Sequence, residues 1–122
     1  MTKFVEMDRA VTLADQMRDE AGPVVLINTF TVDPADVDAL MVAWQQDAAM
    51  MKRQPGMLSA QLHRGVAGSC VFVNVAQWQS VAHFRNAFAN PEFQAQLRHY
   101  PGSATVSPHL FQKVAVDGIC VA

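Results

Sequence analysis

The chain of 122 residues has few cysteines and no long apolar run. Cys70 and Cys120 are too few for a disulfide-stabilised scaffold, and they lack the CxxC or Cys/His spacing of a metal site. No apolar segment approaches the roughly 20 residues that span a bilayer. The N-terminal sequence MTKFVEMDRA lacks the continuous apolar stretch of a secretory signal. We therefore expect a cytoplasmic protein with no membrane partner.

An excess of charge of either sign is also missing. The 9 basic and 11 acidic residues are interspersed and leave a formal net charge of −2. Without a basic patch or a polybasic run, nucleic acid is not an expected partner. Apolar residues make up 51% of the chain, which is enough for the core of one globular domain.

The familiar sequence motifs of cofactor and nucleophile sites are absent as well. The chain contains no GxGxxG, P-loop or GxSxG pattern. The four histidines, His63, His83, His99 and His109, form no HxH or HExxH pattern, so the sequence predicts no metal site.

What the sequence does contain is an alternation of strand and helix patterns. Apolar residues at helical spacing in residues 7–21 predict an N-terminal helix that ends at Gly22-Pro23. Strand patterns occupy residues 24–32, 57–64, 70–78 and 105–116, with helices starting at Asp33-Pro34, Ser80 and Asn90-Pro91. The order β-α-β-β-α-β predicts a ferredoxin-like α+β fold. We expect residues 1–22 to form a helical extension and residues 23–122 to form a single domain.

Both faces of the predicted strands are apolar. Val25 and Ile27 lie opposite Val24, Leu26 and Phe30, and the third strand shows the same pattern. Since helices cover only one face of such a sheet, the other face needs a partner. A second copy is the simplest one, which predicts a homodimeric α+β barrel.

An amide and a tryptophan stand out in the third strand. Asn74 and Trp78 share one face of that strand, and Asn28 of the first strand can share it. Facing the helices, they would line a slot whose walls include Phe72, Phe84, Phe88 and Trp78 itself. An aromatic slot with a few polar groups is typical of a small-molecule site. The alternative is structural, because a buried Asn often bonds to backbone and a strand-end Trp often belongs to the core.

Arg98 follows Leu97, which is expected to point inward, so the arginine lies beside the predicted slot. There it could bind a phenolate or enolate oxygen. On spacing alone, a solvated arginine near a helix C-terminus is the favoured interpretation.

The motif NVAQW, Asn74 to Trp78, preceded by PGML, Pro55 to Leu58, resembles the antibiotic biosynthesis monooxygenase superfamily. The resemblance covers about Pro23 to Val116 and is nearest to the cofactor-free, quinone-forming monooxygenases of aromatic polyketide biosynthesis. It implies that a planar phenolic, anthrone or quinol substrate is oxidised to a quinone by molecular oxygen. It also implies that no metal or flavin takes part.

The resemblance further implies residue roles. Asn74 and Trp78 match substrate-binding positions, Arg98 matches an arginine of the site, and Asn28 matches an asparagine of the first strand. A tyrosine proposed as a proton shuttle in this family falls on Phe84, which has no hydroxyl. The proton step would then need His83, His63 or a water.

Other functions stay open. A related branch degrades haem, but the tryptophan and histidine of its pattern fall on Ala87 and Gln96, with His99 one turn later as a displaced ligand. A non-catalytic dimeric barrel that binds a small aromatic or haem-like ligand is the rival from another class. An isomerase or detoxifying enzyme of small quinones is a third hypothesis.

Overall fold

The computed structural model describes residues 2–122. Its strands are β1 (Lys3–Phe4), β2 (Val24–Thr31), β3 (Met57–Arg64), β4 (Val71–Trp78) and β5 (Thr105–Phe111). Its helices are α1 (Leu13–Gln16), α2 (Val37–Lys52), α3 (Val81–Phe88) and α4 (Pro91–Gln96), with short 3-10 turns at Pro34–Asp36 and Leu97–His99. Within residues 2–122, none of the helices has the length and apolar character needed to cross a bilayer.

The five strands form one sheet in the order β1-β5-β2-β4-β3. The central strand β2 is antiparallel to both β4 and β5, and its Val24 lies opposite Trp78. β3 and β4 form the predicted antiparallel hairpin, with an irregularity between Met57 and Ser59. Strands β2 to β5 with α2 and α3 reproduce the βαββαβ order, so the ferredoxin-like α+β prediction is confirmed.

The predicted N-terminal helix over residues 7–21 is wrong. α1 is a single turn, capped at Thr12 by a reciprocal pair of hydrogen bonds with Asp15. Side chains satisfy the preceding backbone instead: Asp8 accepts from the N–H groups of Ala10 and Val11. Such local bonds compete with helix formation and hold these residues in a loop. The segment also contributes β1, which pairs in parallel with β5 and was not predicted.

The outer edge of β5 is covered in two ways. β1 pairs with its first residues, Lys3 opposite Thr105 and Phe4 opposite Val106. Further along, the Gln16 amide takes the place of a strand: Nε2 donates to the Leu110 carbonyl at 2.8 Å, and Oε1 accepts from the Leu110 N–H at 2.9 Å. β5 ends at Phe111 rather than at residue 116 as predicted.

The helices pack on one face of the sheet, where the core separates into two clusters. The larger cluster contains Leu13 from α1 together with Trp78, Phe84 and Phe93, and the smaller contains Phe30, Phe72 and Tyr100. The apolar residues of α2 are only partly buried: Leu40 and Met51 are buried, whereas Met41 is 41% exposed. Trp44 and Ala48 of the same helix border the space between the clusters.

On the opposite face of the sheet, the apolar side chains are only half-buried. Val25 and Ile27 of β2 and Val73 and Val75 of β4 all have intermediate exposure. The predicted apolar second face is therefore present. The homodimer inferred from it remains a prediction.

Candidate active site

A cavity of about 470 Å³ lies between the sheet and the helices. Residues of both core clusters line it, which explains why the clusters do not merge. Its walls are mostly apolar, and its polar lining residues are Thr2, Asn28, Asp47, Asn74, Trp78, Arg98 and Tyr100. A mostly apolar concave space with a few polar groups is the general form of a small-molecule site.

The β4 wall of the cavity carries the two residues that the sequence singled out. Asn74 and Trp78 both line it, as their alternation along the strand predicts. Within residues 2–122, Asn74 Oδ1 and Trp78 Nε1 are buried and have no hydrogen-bond partner. Because an unpaired buried polar group costs about 1–3 kcal/mol, these two atoms are candidates to bind a ligand.

Asn28 lines the same cavity but also has a structural role. It lies opposite Pro108 of β5, which has no N–H to donate to the sheet. Asn28 Oδ1 accepts from the Ser107 N–H beside that proline at 3.0 Å. Asn28 Oδ1 therefore has a structural role, as the alternative interpretation of a buried asparagine predicted.

An aromatic wall faces Trp78 across the helical side of the site. The rings of Trp78 and Phe84 meet edge to face at 5.6 Å, and Phe84, Phe88 and Phe93 follow one another at 5.7 and 5.3 Å. These four side chains all line the cavity. The arrangement gives a flat aromatic ligand several surfaces on which to pack.

Arg98 supplies a cation to the site. It lies in the 3-10 turn after α4, is exposed to solvent and also lines the cavity. In the described part of the chain, it has no carboxylate within 4.0 Å, since the ion pairs there are Arg18–Asp15 and Arg53–Glu92. Its guanidinium is thus available to an anionic oxygen of a ligand.

Two predicted site residues do not line the cavity. Phe72 shares a face with Asn74 but is buried in the smaller cluster, where the Arg64 guanidinium lies 5.2 Å from its ring centre. His83 is bound locally, because its Nδ1 lies 2.6 Å from Ser80 Oγ and its ring packs on Gly56. Both therefore lie outside the lining of the cavity, and a role for either in the reaction stays a prediction.

Two functional groups were missed by the sequence reading. The Tyr100 hydroxyl donates to Asp47 Oδ2 at 2.7 Å, and both residues line the cavity. Burial raises the pKa of Asp47 to about 6, and the bond from Tyr100 limits that rise. Burial, followed by the negative charge of Asp47, raises the pKa of Tyr100 above its ordinary value. The signal for Asp47 was its place in α2, between Trp44 and Met51 on an otherwise apolar stripe.

The potential metal-ligating side chains of residues 2–122 are scattered rather than grouped. Among residues 2–122, no three His, Cys, Asp or Glu side chains converge as a metal site would require. His63, His83, His99 and His109 all lie outside the cavity lining. A haem placed in the cavity would therefore lack a histidine ligand from its walls.

The fold and this cavity define a family. The sequence model of the antibiotic biosynthesis monooxygenase family matches residues 23–98, more than half of the chain. The protein belongs to the antibiotic biosynthesis monooxygenase family, as the sequence resemblance predicted.

Solved structures agree. The chain is similar to SnoaB, a cofactor-independent oxygenase from Streptomyces nogalater, with 28% identity, a TM-score of 0.68 and coverage of 80% of this chain and 99% of SnoaB. It is also similar to a Shewanella loihica PV-4 protein provisionally assigned as a monooxygenase, with 31% identity, a TM-score of 0.65 and coverage of 79% and 98%. A comparison with curated protein sequences returns no match.

Proposed function

We propose that the protein is a cofactor-independent monooxygenase that oxidises a planar phenolic, anthrone or quinol substrate to a quinone with molecular oxygen. The observation that carries the proposal is the pair of buried, unpartnered atoms, Asn74 Oδ1 and Trp78 Nε1, in an aromatic cavity. The similarity to SnoaB supports chemistry without a metal or flavin.

The cavity residues divide the work of recognition. Trp78 Nε1 donates to a carbonyl or phenol oxygen of the substrate, and Asn74 Oδ1 accepts from a phenol O–H. Phe84 and Phe88 pack on the flat ring system. Asn28 orients the substrate or the oxygen molecule from the β2 side.

In the proposed reaction, the electrons that reduce oxygen come from the substrate anion rather than from a redox cofactor. Removing a proton from the substrate leaves a carbanion or enolate, which transfers one electron to oxygen. Recombination of the two radicals gives a peroxide, and loss of water gives the carbonyl of the quinone. Arg98 holds the developing negative oxygen through a charge-assisted hydrogen bond from its guanidinium.

A homodimer is the proposed form of the enzyme. The half-buried face that includes Ile27 and Val75 would pack against the same face of a second copy. A cytoplasmic location remains a prediction.

The test is to supply an anthrone or a dihydroquinone under air, with a chelator and without flavin, and to follow the quinone absorbance. We expect turnover above the buffer rate, and we expect Asn74→Ala and Trp78→Phe to lower kcat/KM by about 10- to 100-fold each, the equivalent of one lost hydrogen bond to a charged oxygen.

Asn86→Ala is the matched control for the asparagine variant, because Asn86 is exposed on α3 and does not line the cavity. Its activity should equal that of the unchanged protein. If several such substrates bind without any quinone above the buffer rate, the rival role of a non-catalytic aromatic-ligand binder is correct instead.

A further inference from the structure

The cavity contains a buried carboxylate that none of the roles above uses. Asp47 comes from α2, and its partner Tyr100 follows the 3-10 turn after α4, whereas Asn74 and Trp78 come from β4. The carboxylate and its tyrosine therefore approach the cavity from other elements than the proposed substrate-binding pair.

We propose that Asp47 is the base that takes the substrate proton, and that Tyr100 is the positioning residue that holds it. This inference rests on the proposed function and supplies the proton step that Phe84, without a hydroxyl, cannot perform.

The two carboxylate oxygens differ in what they are free to do. Oδ2 accepts the hydrogen bond from the Tyr100 hydroxyl at 2.7 Å. Oδ1 is buried and has no hydrogen-bond partner within residues 2–122, so its capacity to accept a proton is unused. A base must lie within about 2.6–3.2 Å of the proton-bearing atom, a distance that a substrate seated in the same cavity can satisfy.

The tyrosine is itself held in place. Its ring stacks on Phe30 with centroids 5.8 Å apart and planes at 13°, and the side chain is 6% exposed. Because the ring cannot turn freely, its hydroxyl fixes the orientation of the carboxylate. Oδ1 is thereby kept in one place relative to the cavity.

The surrounding charges leave Asp47 poised to accept a proton near neutral pH. From the elements packed on α2, Glu92 pairs with Arg53, and His99 bonds to Gln46 and Gln96. The remaining charged groups of those elements lie outside the cavity lining; they are Asp33, Asp36, His63 and Arg64.

The titratable groups that line the cavity beside Asp47 are Arg98 and Tyr100. Burial is thus the main influence on the carboxylate, and a base with a pKa near the working pH is the most effective kind.

The proton and the electrons balance over one turnover. Asp47 Oδ1 takes a proton from the substrate O–H or C–H, and the bonding electron pair stays on the substrate. Oxygen receives one electron from that anion, and the two radicals join through a new C–O bond. Asp47 returns its proton to the outer oxygen of the peroxide. The remaining C–H bond of the peroxide-bearing carbon then breaks, and its electron pair forms the quinone carbonyl as the O–O bond breaks. The released hydroxide combines with the proton of that C–H bond and leaves as water.

The experiment measures the pH profile of quinone formation by the full chain with an anthrone as substrate. For the unchanged protein we expect kcat/KM to fall as the pH drops through about 6, where Asp47 becomes protonated. For Asp47→Asn we expect kcat lower by about 100-fold or more, KM within about threefold, and no acid limb near that pH.

Tyr100→Phe separates positioning from structure. The Tyr100 bond lowers the pKa of Asp47, so its removal should move the acid limb to higher pH. Asp36→Asn is the matched control, because Asp36 Oδ2 also accepts a hydroxyl bond at 2.7 Å, from Ser103, but outside the cavity lining. Its pH profile should be unchanged.

The outcomes distinguish the inference from the function on which it rests. Quinone formation by the unchanged protein together with a normal rate and acid limb in Asp47→Asn overturns the base and leaves the function standing. A protein that forms no quinone overturns both. If Asp47→Asn does not fold, the Tyr100→Phe profile decides, and an unmoved acid limb there overturns the inference.

Discussion

Three of the residues that line the cavity each have one buried polar atom without a hydrogen-bond partner. Within residues 2–122, the buried unpartnered atoms are Asp47 Oδ1, Asn74 Oδ1, Trp78 Nε1 and His109 Nδ1, and the first three residues all line the cavity. Each unpaired atom lowers stability, so their concentration in one cavity is better explained by ligand binding than by packing.

The Asp47 carboxylate should weaken the fold as the pH rises. Its folded pKa of about 6 lies above the ordinary 3.8, so the folded state binds more protons than the unfolded state between those values. Stability is then highest below about pH 4 for this group and falls through pH 6, by about 3 kcal/mol at most. We expect Asp47→Asn to unfold at a higher temperature than the unchanged protein at pH 8.

The measurement is thermal unfolding of both proteins from pH 4 to 8, since the advantage of Asp47→Asn should shrink toward pH 4. Asp36→Asn provides the comparison with a carboxylate outside the cavity. An equal Tm difference at both ends of that range would contradict the raised pKa.

Sequence patterns predicted part of this site. Strand alternation placed Asn74 and Trp78 on the correct face, because each β-residue points opposite to its neighbours. Alternation does not show how far along the strand the cavity extends. The sequence therefore predicts Phe72 in the cavity wall, whereas its side chain packs inside the smaller cluster. Asp47 was missed because a charged helical residue normally faces solvent, and only the tertiary packing of α2 buries it.

Among the elements, the N-terminal segment differs most from the sequence expectation. The strands β2, β3 and β4 were predicted almost to the residue, since their runs of β-branched and apolar residues are bounded by clear turns. The short pairing of β1 with β5 depends on contacts with residues about a hundred positions later. No local pattern contains that information.

Gln16 should be a stabilising residue of this segment. Its amide makes two hydrogen bonds to the Leu110 backbone, and loss of both leaves a strand edge unpaired. We expect Gln16→Ala to lower the free energy of unfolding by about 1–3 kcal/mol. Chemical denaturation measures the difference.

Gln45→Ala serves as the control, because Gln45 is exposed on α2. That change should stay within about 0.5 kcal/mol of the unchanged protein. Equal effects of the two substitutions would show that the Gln16 amide does not stabilise the edge.

At the scale of the whole molecule, the apolar face of the sheet is a better surface for association than its β5 edge. β1 and the Gln16 amide already bond to the backbone near the two ends of that edge. The half-buried apolar face, with Ile27 opposite Val75, remains uncovered by the helices. Both observations favour the proposed sheet-to-sheet dimer over strand addition.

A charge on that face should separate the proposed dimer. Val75→Lys would bury an unpaired ammonium against the second copy, so we expect the mass in solution to fall from that of a dimer to that of a monomer. Light scattering after size exclusion measures it. Val66→Lys is the control, because Val66 lies in the β3–β4 turn and is 89% exposed. A monomeric unchanged protein would contradict the dimer.

The division of the core by its cavity has a consequence for the lifetime of the protein. The larger and smaller clusters pack against the same 470 Å³ of space, so a flat ligand seated there would join them into one continuous core. Anything that binds only the folded state shifts folding toward it by mass action. The substrate concentration would then affect how long each molecule survives proteolysis as well as the rate of turnover. The substrate-bound protein would resist proteolysis for longer than the free protein.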